Sequence, residues 1–303
     1  MRVILAGVSV MMVFLFSACK NSYDLQFKPK AGSRYEVRMT TNSVTSQELG
    51  VQKMDIKTLT ELVMLYEVQN EANTNDSSKT IKVTFKSMKN TQGSNGQSFV
   101  TDTNNPDTSN PASRMMNAMM GSEFIVTISK QGDVKNITGK DALVQRIINA
   151  AGVTDSMMQE QMVTGIQNFM SDEILKNMME QSFKIFPATK VKKGDSWKSN
   201  MVITKPLPMN IQTTFLLKDV KGKEATIDLS SIVSPGTGGM QMMGVNVETE
   251  LGGTQTGSMQ VDMETGMALN ADISQNITGK MKAMGEEMPM TIQSVITMKS
   301  TKL

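Results

Sequence analysis

The stretch SEFIVTISKQGDVKNITG, residues 122–139, decides the fold class. Its apolar side chains Phe124, Val126 and Ile128 alternate with polar ones, so they share one face of a strand. Gly132 then interrupts the pattern, which is typical of the turn in an antiparallel hairpin. TIKVTFKSM at 80–88 has the same period of two. The chain is therefore predicted to be mainly antiparallel β.

The strand-rich stretches occur in two sets with the same order. KAGSRYEVRMTTNSVT at 30–45 is matched by KKGDSWKSNMVIT at 192–204, which aligns Gly32 with Gly194 and Tyr35 with Trp197. Two later pairs of stretches follow in the same order: 65–88 with 217–232, and 121–134 with 257–268. The matches indicate two similar halves. Either an internal duplication or the general periodicity of strands explains them.

The segment between the halves is predicted to be helical. Met158, Met162, Ile166 and Phe169 recur at helical spacing and form one apolar stripe. Because a sheet with one apolar face must cover that face, we predict an α+β fold. It consists of curved sheets or an open barrel built from both halves, with the helical segment at about 141–183 packed on it. The expected N-cap positions are Asp141, Asp155, and Ser171 with Asp172.

The segment boundaries follow from these patterns. Residues 90–113 are rich in Asn, Ser, Thr, Gly and Pro and are predicted to form a loop, followed by a short helical turn at RMMNAMM. The predicted segments are a leader at 1–18, a lipidated tether at 19–26, a first β-rich half at 27–140, a helical segment at 141–185 and a second β-rich half at 186–303.

A secretion leader ends at the only cysteine of the chain. Arg2 supplies a positive start, and an apolar run extends from Val3 to Phe16 before small residues and Cys19. The run is shorter than the about 20 apolar residues that a membrane-spanning helix needs. LFSAC at 15–19 resembles the lipobox of bacterial lipoproteins, although Phe16 stands where leucine is usual. The alternative is an ordinary secretory signal with a chance cysteine.

The lipobox resemblance implies an acylated Cys19 that tethers the protein to a bilayer. One acyl chain holds a protein only marginally, whereas several chains on one residue anchor it stably. By the same resemblance, Lys20 favours the outer membrane, and the lack of an acidic run in KNSY favours its periplasmic face. The thiol is then used for lipid, which leaves no cysteine for catalysis or metal binding.

Composition excludes several functions. The chain has 303 residues, no histidine and a formal net charge of +2. Without histidine, Ser-His-Asp and Cys-His catalysis and histidine zinc sites are excluded. The charges are scattered without a basic stripe, so no nucleic-acid partner is expected. Ser196 in GDSW has no lysine at S-x-x-K spacing. We therefore expect neither an enzyme nor a cofactor.

Methionine is unusually frequent, with 30 residues. Its flexible thioether fills irregular apolar spaces, so we predict an apolar ligand cavity lined by the helical segment. Thioethers also suit Cu(I), and a copper site with converging sulfurs is a lower alternative; no other metal is expected. The predicted cavity residues are Met158, Met162, Ile166, Phe169, Met178 and Met179.

The leader, the strand-rich halves and FPATKVKKGDSWKSN at 186–200 resemble an uncharacterised family of Bacteroidota lipoproteins. The resemblance covers most of the mature chain and carries no established activity. In plan, the chain is more remotely similar to lipoprotein carriers with a half-barrel over helices.

Two functional hypotheses follow. The first is a non-enzymatic, membrane-anchored lipoprotein that binds an apolar ligand between sheet and helices, which predicts a deep apolar cavity lined by helix methionines. The second is a structural or assembly lipoprotein that binds envelope proteins. It predicts a filled core with an exposed apolar patch or strand edge.

Overall fold

A computed structural model describes most of the chain after the predicted leader. The described residues are 21–49, 52–70, 77–152, 156–205, 207–237, 239–242, 245–283 and 285–303. The leader and Cys19 lie outside them. The strands of the first half are β1 (Ser22–Tyr23), β2 (Arg34–Leu49), β3 (Gln52–Val68), β4 (Lys79–Ser94), β5 (Gln97–Asp102), β6 (Glu123–Ile128) and β7 (Val134–Thr138). Those of the second half are β8 (Val191–Lys192), β9 (Ser196–Ile203), β10 (Met209–Lys221), β11 (Glu224–Pro235), β12 (Gly239–Met242), β13 (Val245–Asp262), β14 (Ala268–Ala283) and β15 (Glu286–Lys302). The helices are α1 (Pro111–Met119), α2 (Lys140–Ala151), α3 (Ser156–Phe169) and α4 (Asp172–Phe183).

Most strands form a single antiparallel sheet of 13 strands, in the order β7-β6-β4-β3-β2-β15-β14-β13-β11-β10-β9, with β5 on β4 and β12 on β13. In its centre β2 pairs with β15, from Tyr35 opposite Lys302 to Gln47 opposite Met290. The sheet is curved and open, because its edge strands β7 and β9 do not pair with each other in the described part of the chain. The predicted fold class is confirmed.

The two halves of the chain build the two halves of the sheet by the same path. β2, β3, β4, β6 and β7 lie side by side in chain order, as do β9, β10, β11, β13 and β14. The prediction of two similar strand-rich halves is therefore confirmed for strand order. A common origin by duplication stays a prediction.

The helices cover one end of one sheet face, which we call the inner face. α2 lies against β6, and α4 lies against β7. Their apolar stripes bury Leu143 and Ile147 of α2 and Leu175, Met179 and Phe183 of α4 in the main core. Each such side chain contributes roughly 1.5–3 kcal/mol when fully buried. The predicted helical segment is confirmed.

The predicted N-cap residue is confirmed for α4 and is wrong for α2. The hydroxyl of Ser171 accepts a hydrogen bond from the backbone N–H of Ile174, so Ser171 caps α4 as expected. The prediction of Asp141 as a cap is wrong, because Gly139 occupies the N-cap of α2 in a left-handed conformation. Asp141 lies in the first turn, where its charge favours the helix dipole. Asp155 is outside the described residues.

The predicted loop at 90–113 is wrong over its first part. β4 continues to Ser94, and Asn95 and Gly96, both at positive φ, form a tight turn into β5. The amide of Asn90 donates to the hydroxyl of Thr60 across the β3–β4 pair at 2.9 Å. Hydrogen bonds between polar side chains therefore stabilise the end of β4, where no apolar face is buried. The predicted short helical turn is α1, whose N-cap Asn110 accepts from two backbone N–H groups.

Contacts with the rest of the fold are described from Ser22 onward, inside the predicted tether of 19–26. Ser22 pairs with Lys192, and Tyr23 pairs with Val191. The side chain of Leu25 is 2% exposed in the main core. Residues from Ser22 onward therefore belong to the packed fold.

Candidate functional site

The inner face of the sheet changes polarity along its strands. The helix-covered end is apolar, with side chains such as Phe215, Leu229 and Met259 in the main core. Because alternate residues share a face, Thr213 and Ser231 come next on the same face. This next row across the sheet consists of polar residues from β4 to β9, and we call it the polar row. Each member lies directly opposite the next one on the neighbouring strand: Gln92, Thr58, Ser43, Ser294, Gln275, Gln255, Ser231, Thr213 and Ser199.

Hydrogen bonds between side chains satisfy part of the polar row. The hydroxyl groups of Thr213 and Ser231 are 2.8 Å apart, and the Gln255 amide donates to the Gln275 carbonyl oxygen at 2.9 Å. Ser231 is only 2% exposed. Beyond the row, the second half carries a separate apolar cluster, whose buried members are Ile203, Ile211, Val233, Leu251, Ile277 and Met290. The polar row thus separates two apolar layers of the inner face.

A cavity lies where α4 ends above the second half of the sheet. Its volume is about 90 Å³, room for about three waters at roughly 30 Å³ each. The helical side contributes Glu180, Gln181 and Lys184. The sheet contributes members of the polar row and apolar neighbours on both sides of it: Ser199, Met201, Ile211, Thr213, Phe215, Leu229, Ser231, Gln255, Met259, Ile273 and Ile296. The cavity therefore combines an apolar lining with a line of hydrogen-bonding groups.

A larger groove of about 860 Å³ adjoins the cavity. Lys184 and Ser199 line both spaces, so the groove and the cavity are adjacent at these two side chains. Trp197 forms part of the groove wall, stacks on Phe215 at 5.7 Å between ring centroids and donates its indole N–H to the carbonyl of Ile185 at 2.9 Å. These contacts fix the boundary between the groove and the core.

Charged groups hold the end of α4 beside this boundary. Lys184 lies 3.1 Å from Asp133 and 3.8 Å from Glu180. The buried carboxylate of Glu180 accepts the backbone N–H of Val134 at 3.1 Å, which ties α4 to β7. Burial acts to raise the pKa of Asp133, but hydrogen bonds from Lys184 and Ser129 and the charge of Lys184 hold that pKa below its usual value.

The predicted cavity residues do not line this cavity. Met179 is 1% exposed within the main core, and Ile166 and Met178 are half-buried against that core. Met162 is also half-buried, while the side chains of Met158 and Phe169 lie outside the described residues. The cavity instead uses strand residues and polar side chains of α4. A ligand-binding role for the helix methionines stays a prediction.

The strand residues that line the cavity were not predicted, although their sequence pattern indicates them. Thr213, Ser231 and Gln255 are polar residues at inner-face positions of otherwise apolar alternation. Their alignment into one row depends on the register of strands far apart in the chain.

The described residues contain neither a cluster of metal ligands nor a membrane-spanning helix. There, no group of three or more His, Cys, Asp or Glu side chains could hold a metal ion, and no helix is long and apolar enough to cross a bilayer. Met115, Met119 and Met120 of the α1 region pack against the main core. This packing is typical of core-filling methionines, and the Cu(I) site stays a prediction.

This architecture defines a mainly antiparallel α+β protein with a cleft between a curved sheet and its helical layer. The chain belongs to a family of unknown function, DUF6263, whose sequence profile matches residues 76–268. No curated protein sequence matches the chain.

Solved structures with similar β-rich folds include proteins of diverse kinds. A structure of lipovitellin, described by its lipid–protein interactions, has a TM-score of 0.49 and 10% identity, covering 90% of this chain and 25% of that one. The chain thus spans a quarter of the lipovitellin chain. An outer membrane channel from Pseudomonas putida F1 has a TM-score of 0.26 and 9% identity, and the match covers 92% of this chain and 98% of the channel. At these levels of sequence identity, the function of neither protein is assigned to this chain.

Proposed function

We propose that the chain is a non-enzymatic lipoprotein of the bacterial cell envelope that binds an apolar chain in the inner-face cavity. The observation that carries the proposal is the adjacency of groove and cavity, which share Lys184 and Ser199 in their linings. An apolar chain that enters along the groove meets Met201, Ile211 and Phe215 beyond this point. The polar row then offers hydrogen bonds to a polar group on the same ligand.

The volume of the cavity limits how much of the ligand it can hold. At about 90 Å³, the cavity accepts the tip of an apolar chain, since roughly 25–30 Å³ corresponds to one water or methylene-sized group. The remainder of the ligand occupies the adjoining groove. The proposed ligand is therefore an elongated molecule, larger than the cavity alone.

The anchor is proposed from the leader and its cysteine. Acylated Cys19 holds the protein at the outer membrane, on the periplasmic face. The absence of histidine and the use of the only thiol for lipid support a binding role over catalysis.

Binding of a fluorescent fatty acid tests the cavity directly. Ser199→Phe places a large side chain at the junction of groove and cavity, on an edge strand that can accommodate it. The control Gln212→Phe adds the same ring to the exposed outer face of β10. We expect affinity for an anthroyloxy-labelled fatty acid to fall at least tenfold in Ser199→Phe and to stay unchanged in Gln212→Phe. Equal affinities in both variants, with native circular dichroism, would rule the cavity out as the binding site.

A second candidate is an assembly lipoprotein that binds an envelope protein. The core between sheet and helices is largely filled, and β5 exposes Phe99 at 69% and Val100 at 58%. Exposed apolar residues on a sheet edge favour strand addition by a partner. Phe99→Ser should abolish cross-linking to envelope proteins in cells if this candidate is right, while leaving fatty-acid binding intact.

A further inference from the structure

The sheet end beside the N-terminal segment carries several exposed lysines. We call it the basic end. Unlike Lys184, Lys193 and Lys223, which pair with carboxylates, its defining lysines have no ion-pair partner among the described residues. They are Lys28, Lys30, Lys130, Lys190 and Lys192.

Backbone hydrogen bonds place these lysines around the N-terminal segment. Ser22 pairs with Lys192 in the β1–β8 sheet. The N–H of Phe27 donates to the carbonyl of Lys130 at 2.8 Å, and the N–H of Lys28 donates to that of Thr265 at 2.9 Å. The segment therefore crosses the ends of β6 and β13, and the lysines surround it.

The acidic groups at this end are engaged in local contacts. Asp24 accepts a hydrogen bond from the side chain of Gln26. Asp195 accepts one from the backbone N–H of Lys192. The five lysine side chains are exposed and outnumber these two carboxylates, and Lys190 also lines the groove.

Chain length brings this end to the proposed anchor. The described fold begins at Asn21, and Cys19 precedes it by two residues. Two residues span at most about 7 Å, so acyl chains on Cys19 hold the basic end close to lipid headgroups. Lysines within a Debye length of an anionic bilayer are attracted to it.

We propose that the basic end docks on an anionic bilayer surface, so that the groove opens towards the lipid headgroups. The inference rests on the proposed lipidation of Cys19 and adds an orientation to it. Acyl chains alone permit any orientation of the domain, whereas the lysines select one. The opposite end, with the β4–β5 turn at Asn95 and Gly96, then points away from the bilayer.

A polarity-sensitive thiol probe at each end tests the orientation. In the full lipidated protein Cys19 is blocked, so Thr189→Cys in the groove loop and Gln97→Cys near the β4–β5 turn each supply one reactive thiol at an exposed position. The protein is labelled with a nitrobenzoxadiazole dye and reconstituted in vesicles of phosphatidylethanolamine and phosphatidylglycerol at about 3:1. We expect dye emission to rise at position 189 and to stay unchanged at 97.

Charge reversal identifies the lysines as the cause. Lys30→Glu, Lys130→Glu and Lys190→Glu together should remove the emission rise at 189. The matched control is the combination of Lys53→Glu and Lys57→Glu on β3 with Lys205→Glu in the β9–β10 connection, all at exposed positions, and should retain it. In a chain that begins at residue 20, which keeps the whole described fold, each reversal at the basic end changes the charge by two units and should lower partitioning into these vesicles by roughly thirtyfold.

The outcomes separate this inference from the proposed function. Equal emission changes at 189 and 97, or equal effects of the two triple variants, overturn the docking. Absence of acyl mass on Cys19 overturns the anchor instead. In that case the chain from residue 20 still decides whether the lysines bind the bilayer.

Discussion

Gly32 and Gly194 occupy equivalent positions in the two halves of the sheet. The N–H of Gly32 donates to the carbonyl of Val68, the last residue of β3, and that of Gly194 donates to the carbonyl of Leu217, which precedes the end of β10 at Lys221. In each half the neighbouring strand returns a bond, from the N–H of Val68 to Ser33 and from that of Leu217 to Asp195. The alignment expected from sequence therefore corresponds to the same turn geometry, and both glycines have positive φ.

A third turn glycine is predicted to be far less tolerant of substitution. Gly132 and Gly194 both have a φ of 91°, so alanine strains the backbone equally, by about 1–2 kcal/mol. A Cβ on Gly132 would lie 1.7 Å from the carbonyl oxygen of Phe183, while one on Gly194 meets nothing within 4 Å. We expect Gly132→Ala to lower the free energy of unfolding by more than about 3 kcal/mol and Gly194→Ala by about 1–2 kcal/mol.

Urea denaturation followed by Trp197 fluorescence measures this difference. Because Phe183 ends α4, the Gly132 variant should also lose part of its helical circular dichroism. Equal destabilisation of the two variants would show that α4 does not depend on this close approach.

The sequence predicted the elements whose polarity follows their local period. Alternation at Phe124, Val126 and Ile128 predicted β6, and the serine at 171 predicted the start of α4. The β4–β5 hairpin was missed, because cross-strand bonds such as Asn90 to Thr60 support it in place of apolar burial. The cavity at the polar row was not predicted for another reason: the polar row comes from strands far apart in the chain, and only their register aligns it.

The hydroxyl pair in the polar row is predicted to be energetically coupled. Thr213→Val leaves the buried hydroxyl of Ser231 without its partner 2.8 Å away, which costs about 1–3 kcal/mol, and Ser231→Ala leaves the half-buried hydroxyl of Thr213 without its partner. Together, the two changes remove both polar groups, so the double variant should be less destabilised than the sum of the single variants by about 1 kcal/mol or more.

A matched cycle on the other face supplies the control. Thr214 and Ser230 are directly opposite each other on the outer face of the same two strands. Thr214→Val and Ser230→Ala should add within about 0.5 kcal/mol. Additive effects in the inner-face cycle would contradict the coupling.

Stability is predicted to be nearly independent of pH around neutrality and to fall in acid. The chain has no histidine, so few groups titrate between about pH 5.5 and 8. Hydrogen bonds from Lys82, Lys193 and Lys218 hold the pKa values of Glu67, Asp219 and Asp228, respectively, below their usual values. A lowered carboxyl pKa contributes stability above its unfolded value of about 4, and this contribution is lost as the pH falls through the folded value.

Urea unfolding at intervals from about pH 3 to 8 checks this profile. The expected curve is flat above about pH 5.5 and declines below about pH 4. A change of more than about 1 kcal/mol between pH 6 and 8 would contradict it, because it requires a titrating group that these carboxylates do not provide.

Replacement of the anchor residue is predicted to release the protein from membranes. Cys19→Ser keeps the size of the side chain but removes the thiol that is proposed to receive the lipid. Since the remaining contacts of the basic end are ionic, they weaken with salt, whereas acyl chains do not. After cell fractionation in high salt, the natural protein should remain in the membrane pellet, and the variant should be soluble or retain its leader.

The control Ser22→Ala, at an exposed position just after the cysteine, should fractionate like the natural protein. Normal processing and membrane retention of Cys19→Ser would instead require an anchor elsewhere in the chain.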